Sequence, residues 1–172
     1  MASLMEILID TLDQECKLYE QLLGLSSKKT PIIVSGDLNA LANITDEEQS
    51  VVAKIQATEL ARQDVMRNIA GVLNKDVNTL KLTELIQLMN KRPAEKQTLA
   101  KQRDRLKLVA DNVRRVNDQN QQLLKSSLEM VQFEMNILQS ARRSPETANY
   151  SKEADIRGDV IGINTGRFDA KQ

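Results

Sequence analysis

The sequence predicts an all-α protein, an antiparallel coiled coil or helical bundle organised on one very long helix, and three features point to it. Residues Ala94 to Ala141 form a run of 48 without glycine or proline, opened by Pro93 and closed by Arg142-Arg143-Ser144-Pro145. At ~1.5 Å per residue such a helix is about 70 Å long, well beyond the ordinary globular length. With two Tyr, two Phe and no Trp, the core must be aliphatic, a composition typical of bundles. Finally, the apolar residues recur at helical spacing, and the one strand-like run, Ile32-Ile33-Val34, has no second strand to pair with and is therefore read as helical.

A long helix with an apolar stripe has to bury it, so the other apolar segments are expected to lie along it as two shorter arms. The first arm starts at Ser3, with Glu6 three residues on completing a capping box, and carries Leu4, Leu8, Leu12, Leu18, Tyr19, Leu22 and Leu25. Pro31 removes a backbone donor, so this helix should kink there or restart with Thr30 as N-cap. Ser35-Gly36-Asp37 is a stop followed by a start, because glycine accepts the left-handed conformation past a helix end and aspartate caps the next turn. That turn, through Leu38 and Leu41, is expected to be short. Thr45 and Glu48 form a second capping box, opening a helix with Val52, Ile55, Met66, Ile69 and Leu73 on one face. Asn74 to Asn78 ends it, a short helix follows from Leu80 or Thr83 to Asn90, and Pro93 initiates the long one. This gives a helical domain over residues 1–143 and a tail over 144–172 that contains Pro145, Gly158, Gly162 and Gly166, lacks a helical stripe and is expected to be mobile.

The charges balance at 24 basic and 24 acidic, but unevenly along the chain. Residues 1–90 carry 8 Lys or Arg against 13 Asp or Glu, and residues 91–172 carry 16 against 11, so an acidic half is expected to pack antiparallel to a basic half. The basic stretch Lys91 to Arg115 has no aromatic side chains among its charges and no nucleic-acid motif, so nucleic acid is not an expected partner. The chain begins without a basic n-region and has no apolar run approaching the ~18 residues of a membrane span, so a cytoplasmic protein without membrane insertion is expected. The lone Cys16 fits a reducing compartment.

Catalytic equipment is sparse. There is no histidine to serve as a general base or a metal ligand, one cysteine is too few for a thiolate zinc site, and no glycine-rich phosphate loop occurs. Carboxylate neighbours such as Glu47 with Glu48, or Asp10 with Asp13, read as solvated faces and cap charges. Neither an enzyme nor a cofactor or metal site is expected.

The apolar stripe of the long helix changes character part-way. Leu99, Leu106, Val109, Val113 and Val116 form a narrow seam that one coiled-coil contact can cover. Past Asn117 and Asn120 one row continues as Leu123, Met130 and Ile137, while new rows appear as Leu124, Val131 and Leu138, then Leu128 and Met135, with Phe133 on the far flank. At ~100° per residue these positions cover about half the helix circumference. Two readings follow. Helices of the same chain converge there, with Asn117 and Asn120 setting register through buried hydrogen bonds; or the surface receives an amphipathic helix from a partner, with Met130 and Met135 as adaptable contacts.

Ser-Gly-Asp-Leu at 35 to 38, Ile44-Thr45-x-Glu47-Glu48, and Asn117-x-x-Asn120-x-x-Leu123-Leu124 followed by Ser127-Leu128 occur in an order that resembles the FlgN family of flagellar export chaperones. The resemblance implies a small cytoplasmic helical protein that binds the C-terminal helical segments of hook-filament junction proteins of the FlgK and FlgL type and keeps them soluble before type III export. It implies cargo contact through the C-terminal part of the chain, here Leu123, Leu124, Leu128, Met130, Val131, Phe133, Met135, Ile137 and Leu138. It also implies export-gate docking to FlhA through a tyrosine soon after the long helix; Tyr150 stands there, with Ser151 where the family commonly has glycine. The alternative class is a constitutive structural adaptor or self-associating coiled coil, which would form a homodimer or larger oligomer through the same rows.

Overall fold

Ser3 caps the first helix as its spacing to Glu6 predicts: the Ser3 hydroxyl accepts from the Glu6 N–H at 3.2 Å and the Glu6 carboxylate accepts from the Ser3 N–H at 2.7 Å. From this cap the computed structural model runs through four helices: α1 (Leu4–Ser35), α2 (Leu38–Leu73), α3 (Leu82–Leu88) and α4 (Pro93–Arg142). It describes residues 3–143, among which there is no strand. The chain divides into two units, Met1–Phe133 and Glu134–Gln172. The expected tail over residues 144–172 lies outside the described residues.

Local signals place most of the boundaries. Gly36, at φ 71°, closes α1 by donating to the Ile32 and Ile33 carbonyls at 3.1 and 3.2 Å. Asp37 then opens α2, accepting from the Ala40 N–H at 2.9 Å. Asn74, in the left-handed conformation at φ 51°, ends α2, and Pro93 stands first in α4, where its missing N–H costs nothing.

Two expectations need correction. The first helix does not restart at Pro31 but passes through it, so Thr30 is not an N-cap, and Ile32 to Val34 belong to α1. Nor is there a short turn followed by a new start at Thr45: α2 is continuous from Leu38. The Thr45 hydroxyl donates back to the Leu41 carbonyl at 2.7 Å, and Glu48 turns toward α1 instead of capping its own helix. Nothing between Asp37 and Ala70 breaks a helix, and the neighbouring helix supplies Glu48 with better partners than a cap would.

Side-chain pairs fix the directions within the first unit. Glu15 meets Arg62 and Ser26 meets Glu48, so α1 and α2 are antiparallel. Asp13 and Glu20 meet Arg105, while Ser26 and Thr30 meet Asn120, so α1 and α4 run parallel. The acidic and basic halves do attract one another, but the pairing that joins α1 to α4 has parallel rather than antiparallel direction. The cause is topological: α2 returns the chain before α4 begins.

The core has two parts. Near the start of α1, Leu8 and Leu12 pack with Ile69, Ala70, Leu85, Ile86, Met89 and Leu99; further along, Leu22 and Leu25 pack with Ile44, Val51, Ile55 and Val113. Each fully buried leucine contributes roughly 1.5–3 kcal/mol. Of the face expected on α2, Ile55 and Ile69 are buried, while Val52 and Leu73 keep 38% and 41% of their surface exposed.

At the far end of this core the interior is polar. Asn120 is 4% exposed and uses both ends of its amide: Nδ2 donates to the Ser26 carbonyl at 2.8 Å and Oδ1 accepts from the Thr30 hydroxyl at 2.6 Å. The fully buried Ser26 hydroxyl donates to Glu48 at 2.8 Å, and Lys29 donates to the other Glu48 oxygen at 2.7 Å. Three helices thus meet in one hydrogen-bonded network, next to the place where Pro31 leaves the Ser27 carbonyl without its helical donor. Asn117, paired with Asn120 in the sequence reading, is exposed.

Arg105 forms another α1–α4 tie, with two bonds of 2.8 Å to the Glu20 carboxylate and one of 3.0 Å to Asp13. The hydrogen bond from Arg105 holds the Glu20 carboxyl below its ordinary value; Asp13 is lowered first by its bond from Lys17 and further by Arg105. Glu15 shifts the other way: burial raises its carboxyl although Arg62 lies 2.9 Å away.

Replacing Asn120 with alanine leaves the Ser26 carbonyl without this donor inside the bundle. It should lower stability by about 1–3 kcal/mol in thermal or denaturant unfolding. Arg105→Ala should have a pH-dependent effect of defined sign. Carboxyls with lowered folded values add stability that is complete above their ordinary range and is lost as pH falls through the lowered values. The gap in melting temperature between native protein and variant should therefore narrow between about pH 6 and about pH 3.

Candidate functional site

Within α4 the narrow seam is filled as its width demands: Leu99, Val109 and Val113 are buried, and Leu106 and Val116 are half-buried. The covering helices then run out. Three and four residues past Asn120, the side chains of Leu123 and Leu124 are half-buried, and from Lys125 onward every described residue of α4 is exposed. In the first unit Leu128 (70% exposed), Met130, Val131 and Phe133 present their apolar side chains to solvent. In the second unit Met135, Ile137 and Leu138 do the same. Convergence of several helices of the same chain over this region is not found among the described residues, whereas the register-setting part of that reading holds for Asn120. Tyr150 lies outside the described residues.

The length of α1 accounts for the exposure. Thr30 is level with Asn120, and in parallel helices of equal rise the remaining five residues of α1 reach only to about Lys125. Gly36 turns the chain back at that point. A stretch of large apolar side chains left bare on a single helix is uncommon in a protein without a partner for it.

Other features offer less chemistry. Cys16 is buried with its sulfur 3.7 Å from the Gln102 carbonyl, and burial pushes its thiol above the ordinary value, away from reactivity. Several members of the basic stretch have partners nearby: Arg92 with Glu95, Arg103 with Asp104, and Arg105 with α1. Among the described residues no group of His, Cys, Asp and Glu could hold a metal ion, and no helix is long and apolar enough to cross a membrane. An open apolar groove of ≈ 590 Å³ lies between the start of α1, the end of α2 and α3, lined by Leu4, Met5, Val72, Leu73 and Leu88 among others. Sequence reading missed it; the outward-facing Leu88, off the buried face of α3, is the signal that was available.

The sequence matches the family described as FlgN protein over residues 1–158. The chain belongs to the FlgN family. FlgN proteins are flagellar export chaperones, a non-enzymatic class, and membership gives the chain that general role and flagellar proteins as its general partners. The chain is also similar to the uncharacterized protein YvyG of Bacillus subtilis (strain 168), 28% identical over 153 residues that cover 89% of each chain. No solved structure matches the chain. The FlgN match includes the whole exposed stretch of α4 and the helices that stop short of it.

If the bare rows take no part in folding, Leu128→Asp should leave the melting temperature within about 2 °C of the native value. Val113→Asp, which places a charge in the filled part of the same helix, should abolish cooperative unfolding. Circular dichroism melts of the two variants make the comparison.

Proposed function

We propose that this FlgN-family protein is a cytoplasmic chaperone that captures the C-terminal helical segments of hook-filament junction proteins of the FlgK and FlgL type and keeps them soluble before type III export. The observation that carries the reading is the exposed apolar surface of α4 beyond the end of its own covering helices. Leu123, Leu124, Leu128, Met130, Val131 and Phe133 supply the capture surface in the first unit, and Met135, Ile137 and Leu138 supply apolar contacts in the second. Capture proceeds by an amphipathic cargo helix laying its apolar face on these rows, so that surfaces prone to premature assembly are removed from water together. Burial of ~800 Å² per partner is enough for a specific complex. Since cargo must be handed on, the affinity is moderate, and flexible methionine side chains suit a surface that accepts more than one related helix. Tyr150 contributes docking to FlhA at the export gate.

The same rows would serve a self-associating coiled coil, and one experiment separates the two. A purified C-terminal segment of a FlgK-type protein is titrated into the full-length chain and into a Leu128→Asp/Val131→Asp variant, with light scattering on each sample. A chaperone gives a monomer that binds the segment, with at least about tenfold weaker binding in the variant. A tight oligomer indifferent to the segment would sink the assignment. Substitution is preferable to truncation before Asn120, which would also remove the amide that joins the three helices.

A further inference from the structure

The end of the α1–α2 hairpin carries two large apolar side chains that the bundle leaves uncovered. Val34, in the last turn of α1, is 71% exposed, and Leu38, the first residue of α2, is 77% exposed. Their neighbours behave differently: Ile33 is buried, and Ile32 and Leu41 pack against the second part of the core. The tip itself is well formed, with Gly36 closing one helix and Asp37 capping the next, so these exposures are not those of a frayed end.

Helix geometry places Val34 toward α4. The α1 side chains that bond α4 are Asp13, Cys16, Glu20 and Thr30. Val34 is four residues beyond Thr30, on the same face and one turn further along. On α4 the matching residues are Gln102, Arg105 and Asn120, and one turn beyond Asn120 stands Leu124, followed at heptad spacing by Val131 and flanked by Leu128. Val34 and Leu124 are thus at one level, on the facing sides of two parallel helices. Val34 is nonetheless mostly bare and Leu124 only half-covered. The seam is therefore open at its last turn, and the track that α1 occupies on α4 continues, apolar and unfilled, past the end of α1.

We propose that the hairpin tip is a second wall of the capture surface. One amphipathic cargo helix takes over the track of α1 on α4 beyond Asn120, resting on Leu124, Leu128 and Val131 with one end against Val34 and Leu38. This rests on the capture function proposed above and adds its geometry. The occupant is a helix because the open track continues an interface that a helix already fills, at the same spacing. The tip limits how far the cargo helix can advance toward Asn120, so it sets the register of the complex and not only its area.

The test uses the full-length chain with Val34→Asp, Leu38→Asp, Leu128→Asp and Leu60→Asp, each titrated calorimetrically with a C-terminal segment of a FlgK-type protein. Leu60 is the control, an exposed leucine on α2 more than twenty residues from the tip. Val34→Asp and Leu38→Asp should each weaken binding at least about fivefold with an unchanged melting temperature, and Leu60→Asp should bind like the native chain. Native-like binding by both tip variants, with loss in Leu128→Asp, would overturn the second wall and leave the capture function standing. No effect from any of the four would overturn both. An equal loss from Leu60→Asp would also refute the wall, since the effect would then be one of surface apolarity in general.

Discussion

The amide of Asn120 is the constraint on which the rest of this molecule depends. A buried polar side chain on a helix–helix seam must find its partners or cost stability, and Asn120 finds them in the Ser26 carbonyl and the Thr30 hydroxyl. That pairing fixes α1 against α4, and through Ser26 and Glu48 it fixes α2 against α1. Apolar contacts alone tolerate sliding by a heptad, whereas this network does not. The network lies beside the proline inside α1: Pro31 leaves the Ser27 carbonyl without its helical donor, and the Asn120 amide bonds the adjoining Ser26 carbonyl from 94 residues further along the chain.

From this point the two ends of α4 have different work. Toward Pro93 the helix is covered by both arms, with Leu99 in one part of the core, Val113 in the other, and Arg105 clamping the edge. Toward Arg142 its large apolar side chains meet solvent. The contacts that hold the bundle together are thus separate from the bare rows.

Signals confined to a few consecutive residues were legible in the sequence. The Ser3–Glu6 box, the Gly36-Asp37 turn and Pro93 as first residue of α4 each depend on local backbone geometry, and each is found in place. The misreadings arose where a distant partner overrode the local preference. Thr45 and Glu48 have capping-box spacing, yet Glu48 serves Ser26 and Lys29 of another helix. Pro31 has the local character of a break, yet α1 continues through it to Ser35. Asn117 and Asn120 look equivalent at three-residue spacing, but 300° of rotation puts one in solvent and the other inside. The widening of the apolar stripe after Asn120 was visible from periodicity; whether a helix of the same chain would cover it depended on where the hairpin turned, and Gly36 had fixed that locally without revealing what stood opposite.

Gly36 and Asp37 thus act as a ruler. The distance from the Asn120 network to the turn is about one and a half helical turns, and that length sets how far α1 covers α4 beyond Asn120. A hairpin longer by one heptad in each arm would carry its tip over Leu128 and Val131 and bury apolar side chains that are now bare. A shorter one would bare the filled seam. The extent of bare apolar surface on α4 is therefore encoded in a connection that contains none of the α4 side chains themselves, and inserting or deleting residues there changes it without altering those rows.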